Sequence, residues 1–248
     1  MYEIWVVARN DIRKTLRSGS TYFPLIIMVA ASISYILGYN GIIEDLINQG
    51  ATSQVIYEAS RSYMNNLFFL WPLAYCMMVG GIGSNALVLE KVGRNFEPLM
   101  VTPLSIRQIW AGKSLGTSVV SVIIGLGLFL LVFLGMSFSE VIPKTGVFVV
   151  PDVMPIITAI ILVPALILGV ILLVTCIQLT IANPRTAGLI FIFALVGIWI
   201  GVTFATFFVK NTNYFAPIYL GLIVIIGIVI YFVLRYLTPE KVTLSSKG

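Results

Sequence analysis

The chain has 248 residues, 59% of them hydrophobic and only 10% charged, with fifteen Lys and Arg against ten Asp and Glu. So little charge does not cover the surface of a soluble domain, in which about a quarter of residues are charged. Histidine is absent, which excludes Ser-His and Cys-His nucleophile pairs and imidazole ligation of zinc or haem.

The few charges are also segregated. Uncharged runs occupy 18–43, 62–89, 114–139, 153–184, 186–209 and 211–234, each longer than the roughly 20 residues a helix needs to cross the hydrocarbon of a bilayer. In lipid a backbone must satisfy its own hydrogen bonds, so each run reads as a helix. The expectation is an all-α polytopic membrane protein, a single domain over 1–248, with six transmembrane helices at about 23–39, 67–88, 115–137, 156–181, 187–209 and 214–234. No cleavable signal is expected, because 22 residues with four basic side chains precede the first apolar run.

In chain order, segment 1–22 comes first. At 3.6 residues per turn Trp5, Ala8, Ile12 and Leu16 fall on one stripe, with Arg9, Arg13, Lys14 and Arg17 beside it. That pattern predicts an amphipathic interfacial helix over 2–17, its stripe in the acyl region and its cations among anionic lipid headgroups. The plainer alternative is a basic tail without fixed structure. In the connection 39–66, Ile42, Ile43, Leu46 and Ile47 at helical spacing predict a short surface helix that Gly50 ends. The second span carries Gly80, Gly81, Gly83, Ser84 and Asn85, small and weakly polar residues that let helices approach.

Segment 89–113 follows and is the best marked. Pro98 suits a first helical turn, and Pro103 drives Thr102 out of the helical region. Ser105 and Gln108 have the spacing of a capping box, which starts a helix running through Trp110 into the third span. Gly112-Lys113-Ser114 imitates the end of a phosphate-binding loop, but Arg107 stands where that loop needs glycine and no strand precedes it. ATP binding by this chain is therefore not expected. In the fourth span Pro155 suits the first helical position, whereas Pro164 lies inside and should kink the helix. This span also holds Thr175, Gln178 and Thr180, and the fifth has Gly197 and Gly201 at GxxxG spacing. Cys76 and Cys176 each sit within an apolar run and read as small hydrophobes.

Twelve Lys and Arg lie in the N-terminal segment, the second and fourth connections and the C-terminal tail; Arg61, Lys144 and Lys210 lie in the others. That bias predicts a multi-pass protein with both termini in the cytoplasm. None of the six runs holds an acidic or basic side chain of the kind that proton- or sodium-driven carriers use, so energy for any transport is expected to arrive from outside the bilayer.

Glu90, Gly93, Arg94, Phe96, Glu97, Leu99, Thr102, Pro103, Leu104, Gly112 and Lys113 together resemble the coupling region of type-2 ATP-binding-cassette (ABC) transporter permeases. The usual Arg-Gly order stands here as Gly93-Arg94. The six spans, the interfacial helix and the cytoplasmic ends extend the resemblance over essentially the whole chain. It implies that 1–22 is a connecting helix and 89–113 a cytoplasmic coupling helix that docks on a separate cytoplasmic ABC ATPase subunit through Glu90, Arg94, Phe96, Glu97 and Leu99. ATP and Mg would belong to that subunit, with no cofactor, metal or catalytic residue in this chain. The resemblance further implies a homodimer in the cell membrane that exports a hydrophobic or amphipathic compound, with Asn85, Gln178, Gly197 and Gly201 lining the pathway or the dimer seam. Membrane lipid is an expected partner and nucleic acid is not. A membrane scaffold that binds an ATPase without moving a solute is the competing expectation. An intramembrane enzyme is disfavoured by the missing histidine.

Overall fold

The computed structural model describes residues 2–17, 23–92, 105–180, 197, 200, 201 and 214–236. Among them there is no strand. The helices are α1 (Tyr2–Arg17), α2 (Phe23–Asn48), α3 (Ser53–Val92), α4 (Ile106–Met136), α5 (Ile142–Thr145), α6 (Val153–Ile157), α7 (Val163–Thr180) and α8 (Phe215–Tyr236). Two π-helical turns, Ser137–Val141 and Thr158–Leu162, join α4 to α5 and α6 to α7. Among the described residues four stretches are long and apolar enough to cross a membrane: Ile26–Asn48, Ile106–Thr145, Val153–Leu179 and Phe215–Leu234. The expected second span, 67–88, lies inside α3. Of the expected fifth span only Gly197, Ile200 and Gly201 are described, all three helical.

Helices α2, α3 and α4 run antiparallel in turn, as the cross-contacts show, whereas α8 runs parallel to α7, with Ile226 beside Gly169 and Ile230, Val233 and Leu234 beside Cys176 and Leu179. Tyr39 meets Ser60 and Tyr35 meets Tyr63 between α2 and α3, and Phe68 packs edge-on against Phe129 and Phe133 between α3 and α4. The Trp110 indole N–H donates to the Leu172 carbonyl between α4 and α7 (3.0 Å). The Tyr219 hydroxyl of α8 donates to the Phe69 carbonyl of α3 (2.7 Å). In an apolar surrounding each such polar tie replaces a bond that water cannot supply.

Among the described residues three apolar clusters fill the bundle. One, around Tyr39, Met64, Phe129 and Met136, occupies the end where α2 turns into α3. The second, around Phe69, Leu73, Leu166 and Tyr219, is central. The third joins Ile106, Ile109 and Trp110 to Cys176 and Leu179 at the opposite end. Between α3 and α4 the backbones nearly touch: a Cβ on Gly125 would lie 2.8 Å from the Cys76 backbone nitrogen, and Ser121 donates to the Cys76 carbonyl. Outward-facing positions are apolar, with Leu220, Val224, Ile225 and Ile228 of α8 all exposed, as lipid-facing helices require.

Several local expectations are corrected. Residues 42–47 are no separate surface helix: α2 continues unbroken to Asn48, because Ile43 is buried against the first cluster and holds the register. Gly50, at φ +72°, then makes the turn, and most of the remaining connection belongs to α3. With 40 residues, α3 is about 60 Å long at 1.5 Å per residue, twice the hydrocarbon thickness. Pro155 is the third residue of α6, with Asp152 at its N-cap, not the first; the first turn tolerates proline because its N–H groups have no helical acceptor. Ahead of Pro164 the chain widens into the π-helical turn Thr158–Leu162, a local adjustment where proline removes a donor.

Candidate functional site at the base of α4

The sequence directs attention to 89–113, and its described parts are the end of α3 and the start of α4. Ser105 is the N-cap of α4, and the capping box is complete. The Gln108 N–H donates to Ser105 Oγ (3.3 Å), and the Ser105 N–H donates to Gln108 Oε1 (2.8 Å). The Gln108 N–H also reaches the Ser105 carbonyl (2.9 Å), and the box ties both backbone N–H groups to side chains, which fixes where the helix begins.

From that start, three ties anchor the first turns of α4. Ile106, Ile109 and Trp110 are buried, with Trp110 bonded to α7. One turn on, the hydroxyls of Ser114 and Thr175 pair at 2.5 Å, and Ser114 also donates to the Trp110 carbonyl. Lys113 is 3% exposed; its Nζ lies 3.2 Å from Asp11 Oδ1 of α1. A buried ammonium is tolerable only when paired and hydrogen-bonded.

Helix α1 is thereby packed against protein. Its contact with α4 centres on Ala8, 1% exposed, and on Gly116, where an added Cβ would stand 2.8 Å from the Ala8 carbonyl oxygen and 3.1 Å from Asp11 Cβ. The expected stripe is consequently split. Ala8 faces α4 and Ile12 is half-buried, while Trp5 and Leu16 stay exposed together with Arg9, Arg13 and Arg17. Packing against Gly116 wins over a purely lipid-facing orientation because backbone contact plus a charge pair is available on that side.

The other site residues are placed as follows. Glu90 and Asn85 lie on α3, their side chains outside what is described. Arg94, Phe96, Glu97 and Leu99 fall outside the described residues. Gln178 is buried on α7, 2% exposed, and Thr175 next to it ties α7 to α4. Gly197 and Gly201 are helical and exposed, and a Cβ at either would meet nothing within 4 Å, so they mediate no close helix approach among the described residues. Gly80 does, with Ser121 Oγ 3.1 Å from a Cβ built there. The structure therefore ties Trp110 to α7 and Lys113 to α1 on the helix that Ser105 and Gln108 cap.

No family model, curated protein or solved structure matches the chain. The functional reading rests on the residues.

Asp11 and Gly116 were not singled out in the sequence. The available signals were an acid two residues from arginines on either side and a glycine three residues beyond a lysine at the mouth of a span. Neither signal says which residue it meets.

Proposed function

We propose that the chain is the transmembrane permease subunit of an ATP-driven ABC transporter, exporting a hydrophobic or amphipathic compound at the expense of ATP hydrolysed by a separate ATPase subunit. The observation that carries this reading is the sequence pattern from Glu90 to Lys113 between two apolar runs. Supporting it is the construction at the end of that pattern, where α4 starts at a closed capping box and is tied within three turns to α7 and α1. A helix that receives force at its end must not fray or slide, and this one is restrained against both.

On this reading both termini and 89–113 face the cytoplasm of a cell membrane, six helices cross it, and two copies of the chain pair. Glu90, Phe96, Glu97 and Leu99 meet the ATPase, with Arg94 as an ion-pair partner. A carboxylate and an aromatic ring close together suit an apolar groove rimmed by basic residues.

The test is copurification with a cassette ATPase followed by reconstitution in proteoliposomes. Glu97→Lys and Phe96→Ala should each weaken ATPase association and abolish flux of a lipophilic probe. Unchanged association and flux in both variants would sink the docking assignment. Coupled ATP hydrolysis with no flux of any lipophilic probe would favour the scaffold.

A further inference from the structure

The contact between α1 and α4 combines two restraints of different kinds. At Gly116 the missing side chain sets the distance, since any Cβ would run into the Ala8 carbonyl. At Lys113 the ion pair with Asp11, 102 residues away in the chain, sets rotation and register. Apolar side chains tolerate sliding, because one methyl group replaces another. A buried charge pair does not: moving α1 by one turn, about 5.4 Å, would leave both charges buried without each other. The same pair fixes the roll of α1, turning Asp11 inward and leaving Arg9 and Arg13 exposed.

We propose that Asp11 and Lys113 are a positioning pair which, with Gly116, clasps α1 to the base of α4 so that the two helices move as one body. Lys113 lies eight residues beyond the Ser105 cap, about 12 Å along the helix. Displacement applied at that cap reaches α1 through a rigid helix and a contact that neither slips nor rolls. That force enters at this end rests on the reading under Proposed function; the clasp itself rests on the geometry.

Two arms test it. In the first, Ala8→Cys is introduced into the full-length protein, and its modification by a water-soluble maleimide is followed in membranes permeable to the reagent. The parent with buried Cys76 and Cys176 serves as the blank. The cysteine at position 8 should be protected. Asp11→Lys should raise its rate of modification by about tenfold or more, since local release exposes what packing hides. The swap Asp11→Lys with Lys113→Asp should restore protection, and Gly116→Ala should release α1 without altering charge. Should Asp11→Lys fail to accumulate, Asp11→Asn takes its place. Continued protection in both the Asp11 and the Gly116 variants overturns the clasp, and so does a charge swap that accumulates normally yet stays unprotected.

The second arm reads coupling in complexes that contain the ATPase. Asp11→Lys should keep the ATPase bound and hydrolysing while flux falls by about tenfold, within the range of coupling energies between sites, and the charge swap should recover flux. Full flux with position 8 freely modified overturns the mechanical claim. If no ATPase copurifies with the parent, the permease reading fails instead, and modification at position 8 alone decides the clasp.

Discussion

The two ends of the bundle use the same chemistry under opposite conditions. At the α1 end the described residues include the ion pair of Lys113 with Asp11, whose side chains are 4% and 15% exposed. Among the described residues, more ionic contacts lie at the other end. Lys144 lies 3.6 Å from both Glu44 and Glu140 and donates to Asn40 at 2.7 Å, and Arg61 meets Asp152 at 2.5 Å. Yet Arg61 and Asp152 are 47% and 31% exposed, and Glu44 is 65% exposed. Where water reaches both partners, each charge keeps most of its hydration when the pair breaks. Where it does not, breaking the pair strands a charge. The number of ion pairs at an end therefore does not measure how firmly that end is held.

The largest effect should follow from Lys113→Met, which leaves Asp11 without its ammonium partner in a mostly dry contact. We expect a loss of about 3–5 kcal/mol, read as a lower Tm of the purified protein in detergent. A variant within about 0.5 kcal/mol of the parent, as for an ordinary surface change, would break the comparison at once. The next effect belongs to the same end. Ser105→Ala opens the capping box of α4 and should cost about 1 kcal/mol, with the amide protons of 106–108 exchanging faster. Because Ser105 is exposed, water replaces part of what the hydroxyl gave, which is why this loss stays below that at Lys113.

What could be read beforehand divides along the same line. The capping box was legible because a cap is a local matter: Ser105 and Gln108 are three residues apart, and their bonds follow from that spacing. The helical character of the apolar runs was legible for a similar reason, since lipid leaves the backbone no other choice. The partner of Lys113 was not. The sequence presents this residue as a count in a basic connection and as the end of the Glu90–Lys113 pattern, and only the crossing of α1 over Gly116 brings Asp11 to it. The extent of α2 was misread for a related reason: Ile42, Ile43, Leu46 and Ile47 carry a helical period, but period alone does not tell a new helix from the continuation of an old one. Burial of Ile43 makes that decision. At Arg94, Phe96, Glu97 and Leu99 the reading remains one of sequence pattern.

At the exposed end the expected effects are small and differ in kind. Lys144→Ala removes a cation that is 17% exposed and also sits 5.8 Å from the Tyr39 ring centroid. Its acidic partners are reachable by water, so the loss should be about 1 kcal/mol, the upper end for such pairs. Arg61→Ala should cost less still, because Asp152 keeps Asn65: its carboxylate accepts from the Asn65 amide at 2.7 Å, and its backbone N–H donates to Asn65 Oδ1 at 2.8 Å. Salt makes the sharpest distinction. At 1 M the screening length falls to about 3 Å, so the Tm difference between Arg61→Ala and the parent should vanish, whereas that of Lys113→Met should persist, since ions do not enter a contact that water barely reaches. An Arg61→Ala deficit that outlasts high salt would mean that Asp152 is held in a drier setting than its exposure implies, and the two ends would then be alike.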